Sequence, residues 1–319
     1  MKNRPVLSVI IVNFNTKEIT LACLTSLYQF TSGIDYEVIV VDNASSDSSA
    51  EILSKFEPEH KNFKLIRSSA NIGFGPANNL GAKEAKGEYL LFLNSDTLLI
   101  ENCLPDCLAA IKNKKAVALS CYLLNRDLTI QPSGGFFPTL DRLLIWQFFL
   151  DDLPLVGDKF KSIHPHAPGF FFLNRLIGRQ SLPRKQARVE LRPDWITGAF
   201  MLVPQRIFKE VGGFDDKIFM YTEEMELCYR LKKSGGDIIL DPKSAIVHIG
   251  GASGGSHLAL TKEVEGMLYF WQKHKPAWQL PLVKLIFFAG SLLRYVIFGI
   301  IKANATARQA YGQILRLLA

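Results

Sequence analysis

Along the first third of the chain, short apolar runs alternate with segments of helical period. Leu7–Val12 is a β-branched run and predicts a buried strand. Thr16–Phe30 carries Leu21, Leu24 and Leu27 on one side, with Thr16 as a candidate N-cap, and predicts a helix. Tyr36–Val41 predicts a second strand. It ends in Asp42-Asn43-Ala44-Ser45-Ser46-Asp47, a polar cluster that starts a helix through Ile52 and Leu53. Phe63–Ile66 and Tyr89–Leu93 predict further strands with a helix, Pro76–Lys86, between them, and Val117–Tyr122 a fifth strand. Strand alternating with helix argues for a mostly parallel sheet covered on both faces. Ligands of such sheets bind beyond the carboxyl ends of the strands. Asn13, Asp42 and Asn94-Ser95-Asp96 all follow strands, so they are expected to converge.

The pattern changes after Phe136. Up to Pro193 come two aromatic clusters, Leu143–Leu150 and Gly169–Leu173, and then a basic stretch from Arg175 to Arg192. Such a segment suits a membrane-facing insertion or an acceptor platform. A loop that folds its aromatics inward is the alternative. Trp195–Val203 then predicts a strand, Gln205–Val211 and Glu223–Lys233 helices, and Asp237–Leu240 and Ala245–His248 two more strands. Leu280–Ile301 is almost wholly apolar, interrupted by Lys284 and Arg294, which a helix sets roughly 80° apart. Its uninterrupted run Leu285–Leu293 is shorter than the ~20 residues a span needs. An interfacial helix is expected, with a docked helix or a span with snorkelling ends as alternatives. The expected division is a catalytic domain over residues 1–255, with 136–193 as a variable insertion, and a C-terminal helical region over 256–319.

Composition narrows the options. With 319 residues and 48% hydrophobic content the chain can bury a large core. Lys plus Arg (37) exceed Asp plus Glu (30) by 7, an excess that suits phosphates or anionic lipid and is also common in proteins that bind neither. No aromatic-interleaved basic stripe matches a nucleic-acid motif, so nucleic acid is not an expected partner. Five cysteines with no CxxC argue for a reducing compartment and buried thiols. Cys103 and Cys107 share a helix face but have no His neighbour for zinc. The apolar run near the N-terminus is short and lacks a cleavage site, so export is not expected.

Several polar clusters carry candidate chemistry, each with a plainer explanation beside it. Asp96, just past a buried strand, could hold Mg²⁺ or Mn²⁺ against a diphosphate, since both prefer oxygen ligands; an Asx-turn explains it equally. Asp42 could accept hydrogen bonds from a ribose or a base, or cap the next helix. Asn71-Ile72-Gly73-Phe74-Gly75, followed by Asn78-Asn79, opens a helix whose N-terminus suits an anionic or polar ligand, or merely forms a turn. Glu223, Glu224 and Glu226 crowd one helix start, where the macrodipole favours acids. A carboxylate there could also deprotonate a sugar hydroxyl. Glu223 and Glu226 share a face with Arg230, and Glu224 points elsewhere. His248 ends an apolar strand before a glycine run and could bind a metal or phosphate. No G-x-G-x-x-G follows a strand and no Walker sequence occurs.

Taken together, these stretches resemble glycosyltransferase family 2, especially its bacterial rhamnosyltransferase-like members. The matching residues are Ser8–Asn15, Val41–Asp47, Asn71–Phe74, Asn94–Asp96, Gly198-Ala199, Gly212–Asp215, Glu223–Cys228 and His248. They run in order over about Leu7 to Ser253. The resemblance implies an α/β, GT-A-type nucleotide-diphospho-sugar transferase fold with a C-terminal helical extension. It also implies a dTDP-, UDP- or GDP-sugar donor, a Mg²⁺ or Mn²⁺ ion, and inversion at the anomeric carbon. Asp96 matches the last acid of the family's DxD-type metal motif, and Asn94 stands where its first acid often is. Asp42 matches the acid that contacts the donor nucleoside. Glu224 matches the catalytic acid, usually Asp in a Glu-Asp pair, and His248 a position that can bind metal or diphosphate.

The expected site therefore has Glu224 or Glu223 as catalytic base and Asp96 and His248 as metal ligands. Asn13, Asn15, Asp42, Asn71, Asn78, Asn94, Ser95 and Gly198 are expected to face the donor. Trp195, Glu226 and Arg230 are expected to face a glycan or lipid-linked acceptor. The expected setting is the cytoplasmic face of the cell membrane, in contact with its surface. Nucleotidyl transfer is a rival reading, disfavoured because Asn13-Phe14-Asn15-Thr16 is no glycine-rich basic loop. A catalytically inactive sugar- or lipid-binding protein is another, and the retained Asp96 and acid cluster speak against it.

Overall fold

The computed structural model describes residues 4–56, 60–152, 162–164, 188–250 and 256–319. The chain divides into two compact units. The first holds residues 1–134, 185–219 and 223–253, the second residues 135–184, 220–222 and 254–319.

In chain order the first unit begins with β1 (Leu7–Asn13), α1 (Lys17–Phe30), β2 (Tyr36–Asp42), α2 (Ser49–Leu53), β3 (Phe63–Arg67), α3 (Phe74–Glu84) and β4 (Tyr89–Asn94). There follow β5 (Thr97–Leu99), α4 (Leu104–Lys114), β6 (Ala118–Leu124) and β7 (Ile130–Gln131). The chain next forms α5 (Leu140–Gln147) in the second unit. It returns to the first unit as β8 (Phe200–Pro204), α6 (Gln205–Glu210), α7 (Glu223–Lys233) and β9 (Ile238–His248). The second unit ends in α8 (Ser256–His274), α9 (Gln279–Arg294), a π-helical continuation (Tyr295–Ile301) and α10 (Ala305–Leu318).

Among the described residues nine strands form one sheet, ordered β3-β2-β1-β4-β8-β6-β9-β5, with β7 beside β6. β1 pairs in parallel with both β2 and β4, and β2 with β3. β1, β2 and β4 are buried along nearly their whole length, which is why they read as apolar runs rather than alternating ones. β8 runs antiparallel to both β4 and β6, and β9 is again parallel to β6. The parallel core expected from the sequence is therefore present within a mixed sheet. Cys23, Leu24 and Leu27 of α1 and Leu104, Cys107 and Ile111 of α4 pack on one side of it, with Val9, Ile11, Leu91 and Leu119 from the strands.

Some elements differ from the pattern. The two strands expected over 237–248 are one, β9, whose register against β6 shifts between Asp241 and Ala245. Pro242 cannot donate to a ladder, and a bulge absorbs it. The strand expected over Trp195–Val203 is a short extended pair, Trp195-Ile196, and then β8. The five cysteines are all buried and free, and burial pushes the Cys23 thiol up to about 12, as expected of structural thiols. Arg294 does not join Lys284 on an exposed basic side. It is 8% exposed, donates to the carbonyls of Trp146 (2.7 Å) and Gln147, and lies over the Phe149 ring. Of the middle segment, Leu143 and Ile145 of α5 turn inward. Arg192 pairs with Glu190 and Asp237. The cluster Gly169–Leu173 and the basic residues from Arg175 to Lys185 lie outside the described residues.

Candidate functional site

The carboxyl ends of β1, β2 and β4 do converge, because β1 lies between the other two. Asn13 is paired with Asp42 in register, and Val12 with Asn94. Asn13 is fully buried. Its amide donates to Asp42 Oδ1 (2.7 Å) and Ser45 Oγ (3.0 Å), and its oxygen accepts from the hydroxyls of Thr16 (3.0 Å) and Thr20 (2.6 Å). Thr16 Oγ1 in turn lies 3.3 Å from Ser95 Oγ. Asp42 is 3% exposed and also accepts from the Ser45 backbone N–H. Asn15, at φ 54°, accepts from the Ser46 backbone N–H at 2.7 Å. These residues form a tightly bonded floor under the strand ends.

Beside that floor, Asp96 and His248 meet. β9 pairs antiparallel with β5, setting His248 opposite Thr97, and the Ile249 N–H donates to the Asp96 carbonyl. His248 Nε2 lies 3.3 Å from Asp96 Oδ1 and 3.5 Å from Asn94 Nδ2. Its Nδ1 is 2.6 Å from Gln131 Oε1. An amide oxygen can only accept, so Nδ1 carries the proton, and in the neutral ring Nε2 offers its lone pair toward Asp96. Gln131 is held in that sense by its own Nε2, which donates to Asn125 Oδ1 at 3.2 Å. Asn94 Oδ1 is buried with no hydrogen-bond partner. A carboxylate and an imidazole nitrogen at one corner, beside a residue with an unsatisfied amide oxygen, are donors that suit Mg²⁺ or Mn²⁺ with water and substrate oxygens completing the shell.

The glycines around α3 join this corner to the acid cluster. Asn94 N–H donates to the Ala199 carbonyl (3.1 Å). A Cβ on the neighbouring Gly198 would come within 3.0 Å of the Phe74 ring. Gly73, at φ 94°, lies under the Phe219 carbonyl, which accepts from the Phe74 N–H at 2.8 Å. A Cβ there would sit 2.3 Å from that oxygen, so only glycine fits. Gly75 backs onto the Glu223 side chain. Asn71 is not open to solvent on all sides: its oxygen accepts from Asn43 Nδ2 (2.9 Å) and the Gly73 N–H (3.1 Å). Asn78 is 1% exposed and donates to the Phe74 carbonyl.

The three acids of α7 occupy three environments. Tyr221 and Thr222 precede them with φ of 64° and 82°, a costly backbone for a β-branched residue that fixes where the helix begins. Glu226 is fully buried and gripped by Arg230, whose Nε lies 2.9 and 3.0 Å from its two oxygens. Arg230 also donates to the Val211 carbonyl. Glu223 is 4% exposed, and its Oε2 has no hydrogen-bond partner. Burial holds its carboxyl well above the usual carboxylate range, and the adjacent Glu224, to which it is hydrogen-bonded, raises it further. Glu224 is the most exposed of the three, half-buried, with its Oε2 shielded from solvent. Trp195 is 7% exposed, and α7 is tied to its neighbourhood through Cys228 and the Ile196 backbone.

The comparisons with known proteins fit this geometry. The family profile described as "Glycosyl transferase family 2" matches residues 8–175, more than half of the chain. The chain belongs to glycosyl transferase family 2. It is 27% identical over 220 residues to "Rhamnosyltransferase WbbL" of Escherichia coli K12, covering 67% of this chain and 72% of that protein. It is 26% identical over 264 residues to the "N-acetylglucosaminyl-diphospho-decaprenol L-rhamnosyltransferase" of Mycobacterium tuberculosis, covering 77% and 78%. Among solved structures, GalNAc-T7 with UDP, GalNAc and Mn²⁺ aligns at TM-score 0.60 and 18% identity over 89% of this chain, which spans 51% of that longer one. The mannosyltransferase PcManGT of Pyrobaculum calidifontis, in complex with GDP-Man and Mn²⁺, aligns at TM-score 0.56 and 14% identity over 99% of this chain and 87% of its own. The fold is thus of the GT-A type, as the sequence motifs implied.

Three residues that shape this candidate site were not among those expected from the sequence. Asn43 binds the Asn71–Gly73 loop to the end of β2 through Asn71, the Gly73 carbonyl and the Ile72 N–H. Asn79 clamps the Gly212-Gly213-Phe214 turn by donating to the Phe214 carbonyl and accepting from its N–H. Both lie within quoted motifs. Gln131 lies in none, and its two-residue strand carries no pattern.

Two predictions follow from the geometry. Glu223 binds its proton more tightly when folded, so its stabilising contribution is complete below the ordinary value of 4.5 and is lost as pH rises through the folded value. Glu223→Gln is therefore expected to melt progressively higher than the parent as pH rises from 4.5 to neutrality; a constant difference across that range would contradict it. In Gln131→Met, the ¹⁵N shifts of the His248 ring in metal-free protein are expected to move from the Nδ1–H form toward a tautomer mixture. Gln131→Glu, which keeps an acceptor, should restore the Nδ1–H form.

Proposed function

We propose that this chain is an inverting, metal-dependent glycosyltransferase. It moves a sugar from a nucleotide-diphosphate donor to a hydroxyl of a glycan or lipid-linked acceptor at the cytoplasmic face of the cell membrane, in cell-envelope polysaccharide synthesis. The observation that carries the reading is the corner where Asp96 and His248 Nε2 meet beside Asn94, whose buried Oδ1 has no hydrogen-bond partner among the described residues, linked through Gly198, Phe74 and Gly75 to the acids of α7. The two rhamnosyltransferase relatives favour rhamnose from a dTDP donor as the first sugar to test.

Asp96 and His248 would hold the cation, with Asn94 Oδ1 as a further donor. When bound, Mg²⁺ or Mn²⁺ supplies positive charge against the departing diphosphate. Glu224 accepts the proton of the acceptor hydroxyl as its oxygen bonds the anomeric carbon. The carbon–phosphate oxygen bond breaks on the opposite face and its electron pair leaves with the nucleotide. Glu224 suits that task because it is the most exposed of the three, while Glu223 is buried beside it and Glu226 is committed to Arg230. Glu226 and Arg230 hold α7 in place, Trp195 backs the acceptor side, and Asp42 with the Asn13 floor positions the nucleoside.

A panel of dTDP-, UDP- and GDP-sugars, screened for thermal stabilisation with Mg²⁺ or Mn²⁺, should select one donor. With that donor, Asp96→Ala is expected to abolish transfer while melting like the parent. Glu224→Gln should lose ~10²–10⁴-fold in turnover and keep donor binding. The product's anomeric configuration, read by NMR, should be opposite to the donor's. Full transfer in Asp96→Ala or in excess chelator would overturn the metal role. A folded protein that binds the donor with metal but neither hydrolyses nor transfers it would be a binding protein instead.

A further inference from the structure

The second unit carries a surface that the glycosyl-transfer site does not use. Gln279–Ile301 is, among the described residues, a helix long and apolar enough to cross a membrane, with 23 residues and a mean hydropathy of 1.8. Its two sides differ. Val283, Phe287, Gly290, Ser291 and Arg294 are buried within the second unit. Trp278 (63% exposed), Leu282 (42%), Leu285 (63%), Leu292 (45%), Val296 (38%) and Ile300 (58%) are exposed. At ~100° per residue, Trp278, Leu282, Leu285 and Leu292 fall within about 80° of one another around the axis, and Val296 and Ile300 follow in the π-helical turns. They form one continuous apolar stripe, with the wider π-helical turns at its far end.

The charge around the stripe has one sign. Residues 266–319 contain seven Lys and Arg and no Asp or Glu. The chain's whole excess of 37 − 30 = 7 therefore lies in this segment, and the remaining residues balance at 30 of each. Lys273, Lys284, Lys302, Arg308 and Arg316 are exposed. An exposed apolar stripe ending in a Trp and flanked along the chain, over residues 266–319, only by cations has the chemistry of a helix lying in the headgroup layer of an anionic bilayer. A second copy of the chain fits poorly, since pairing two such faces brings like charges together.

The buried side disfavours a helix that crosses a membrane. Arg294 is bonded to the carbonyls of Trp146 and Gln147 and lies 4.1 Å from the Phe149 ring centroid. Gly290 permits close contact, since a Cβ there would come 2.4 Å from Gln147 Oε1. A spanning helix would have to leave these partners and carry the guanidinium into hydrocarbon.

We propose that the Trp278–Ile300 stripe, with its flanking cations, is a docking face for anionic phospholipid that holds the enzyme in the plane of the membrane surface. Its purpose rests on the transferase reading, and its test does not. The full chain would be sedimented with phosphatidylcholine vesicles, alone or with about a third phosphatidylglycerol, at low and high salt. Binding is expected only with phosphatidylglycerol, and should weaken as salt rises. Leu285→Glu/Leu292→Glu should weaken it at least about tenfold with an unchanged melting temperature. Lys302→Glu/Arg308→Glu should remove the preference for phosphatidylglycerol. Metal-dependent donor hydrolysis should be unchanged in both variants, so failure of docking and failure of the transferase reading remain distinguishable. No binding to anionic vesicles would overturn the inference. So would binding untouched by Leu285→Glu/Leu292→Glu, a helix that protease protection places across the bilayer, or a solution dimer that this variant dissociates.

Discussion

The strand ends depend on one buried amide. Asn13 has no solvent contact, so each of its donors and acceptors must find a partner inside the protein or carry a desolvation cost of roughly 1–3 kcal/mol. All of them do. Its four hydrogen bonds reach Asp42 and Ser45 after β2, and Thr16 and Thr20 at the start of α1. The set is satisfied only when β1 and β2 are in register and α1 starts where it does. Ser95, after β4, is held to the same group through Thr16. The placement of Asp96 one residue later follows from that constraint.

This separates two kinds of polar residue that look alike in the chain. Asn13, Asn43, Asn71, Asn78 and Asn79 are all bonded to the fold. Glu226 likewise spends both oxygens on Arg230. Asn94 Oδ1 and Glu223 Oε2 are buried and have no partner. Buried polar groups are nearly always satisfied, so exceptions mark places where the fold has been shaped for something else. Among the described residues others share this state, such as Thr31, but these two sit where the sequence motifs place chemistry. Burial, and then the adjacent Glu224, push the Glu223 carboxyl well above the usual carboxylate range.

Much of this was legible in the sequence because β1, β2 and β4 are buried on both faces and announce themselves as apolar runs. Their order as strand, helix, strand fixed the parallel core and hence the convergence of Asn13, Asp42 and Asn94. The antiparallel β8 was not legible, since direction within a sheet depends on the distant segment that returns the chain and not on Phe200–Pro204 itself. The short strands β5 and β7 lack the length to show a period. Pro242 split β9 because a bulge cannot be seen in a one-dimensional pattern. Arg294 misled for a related reason. A cation in an apolar helix reads as exposed until the carbonyls of Trp146 and Gln147, far away in sequence, supply its acceptors. At the site, residue types were legible, while their division into bonded and available groups required the partners.

The distribution of charge bears on how an anionic donor could be held. With residues 1–265 balanced at 30 acids and 30 bases, the strand-end site gains little attraction for a diphosphate from the charge of the segment around it. It also presents acids of its own, Asp42, Asp96 and Glu224, which would repel one. Uncompensated, that arrangement disfavours a diphosphate. A divalent cation, if held by Asp96 and His248, would reverse the sign of the interaction, since the carboxylate would then be a ligand. On the proposed reading, Asp96 would act as half of such a bridge, while Asp42 and Glu224 keep their separate roles. The excess positive charge lies apart, in residues 266–319.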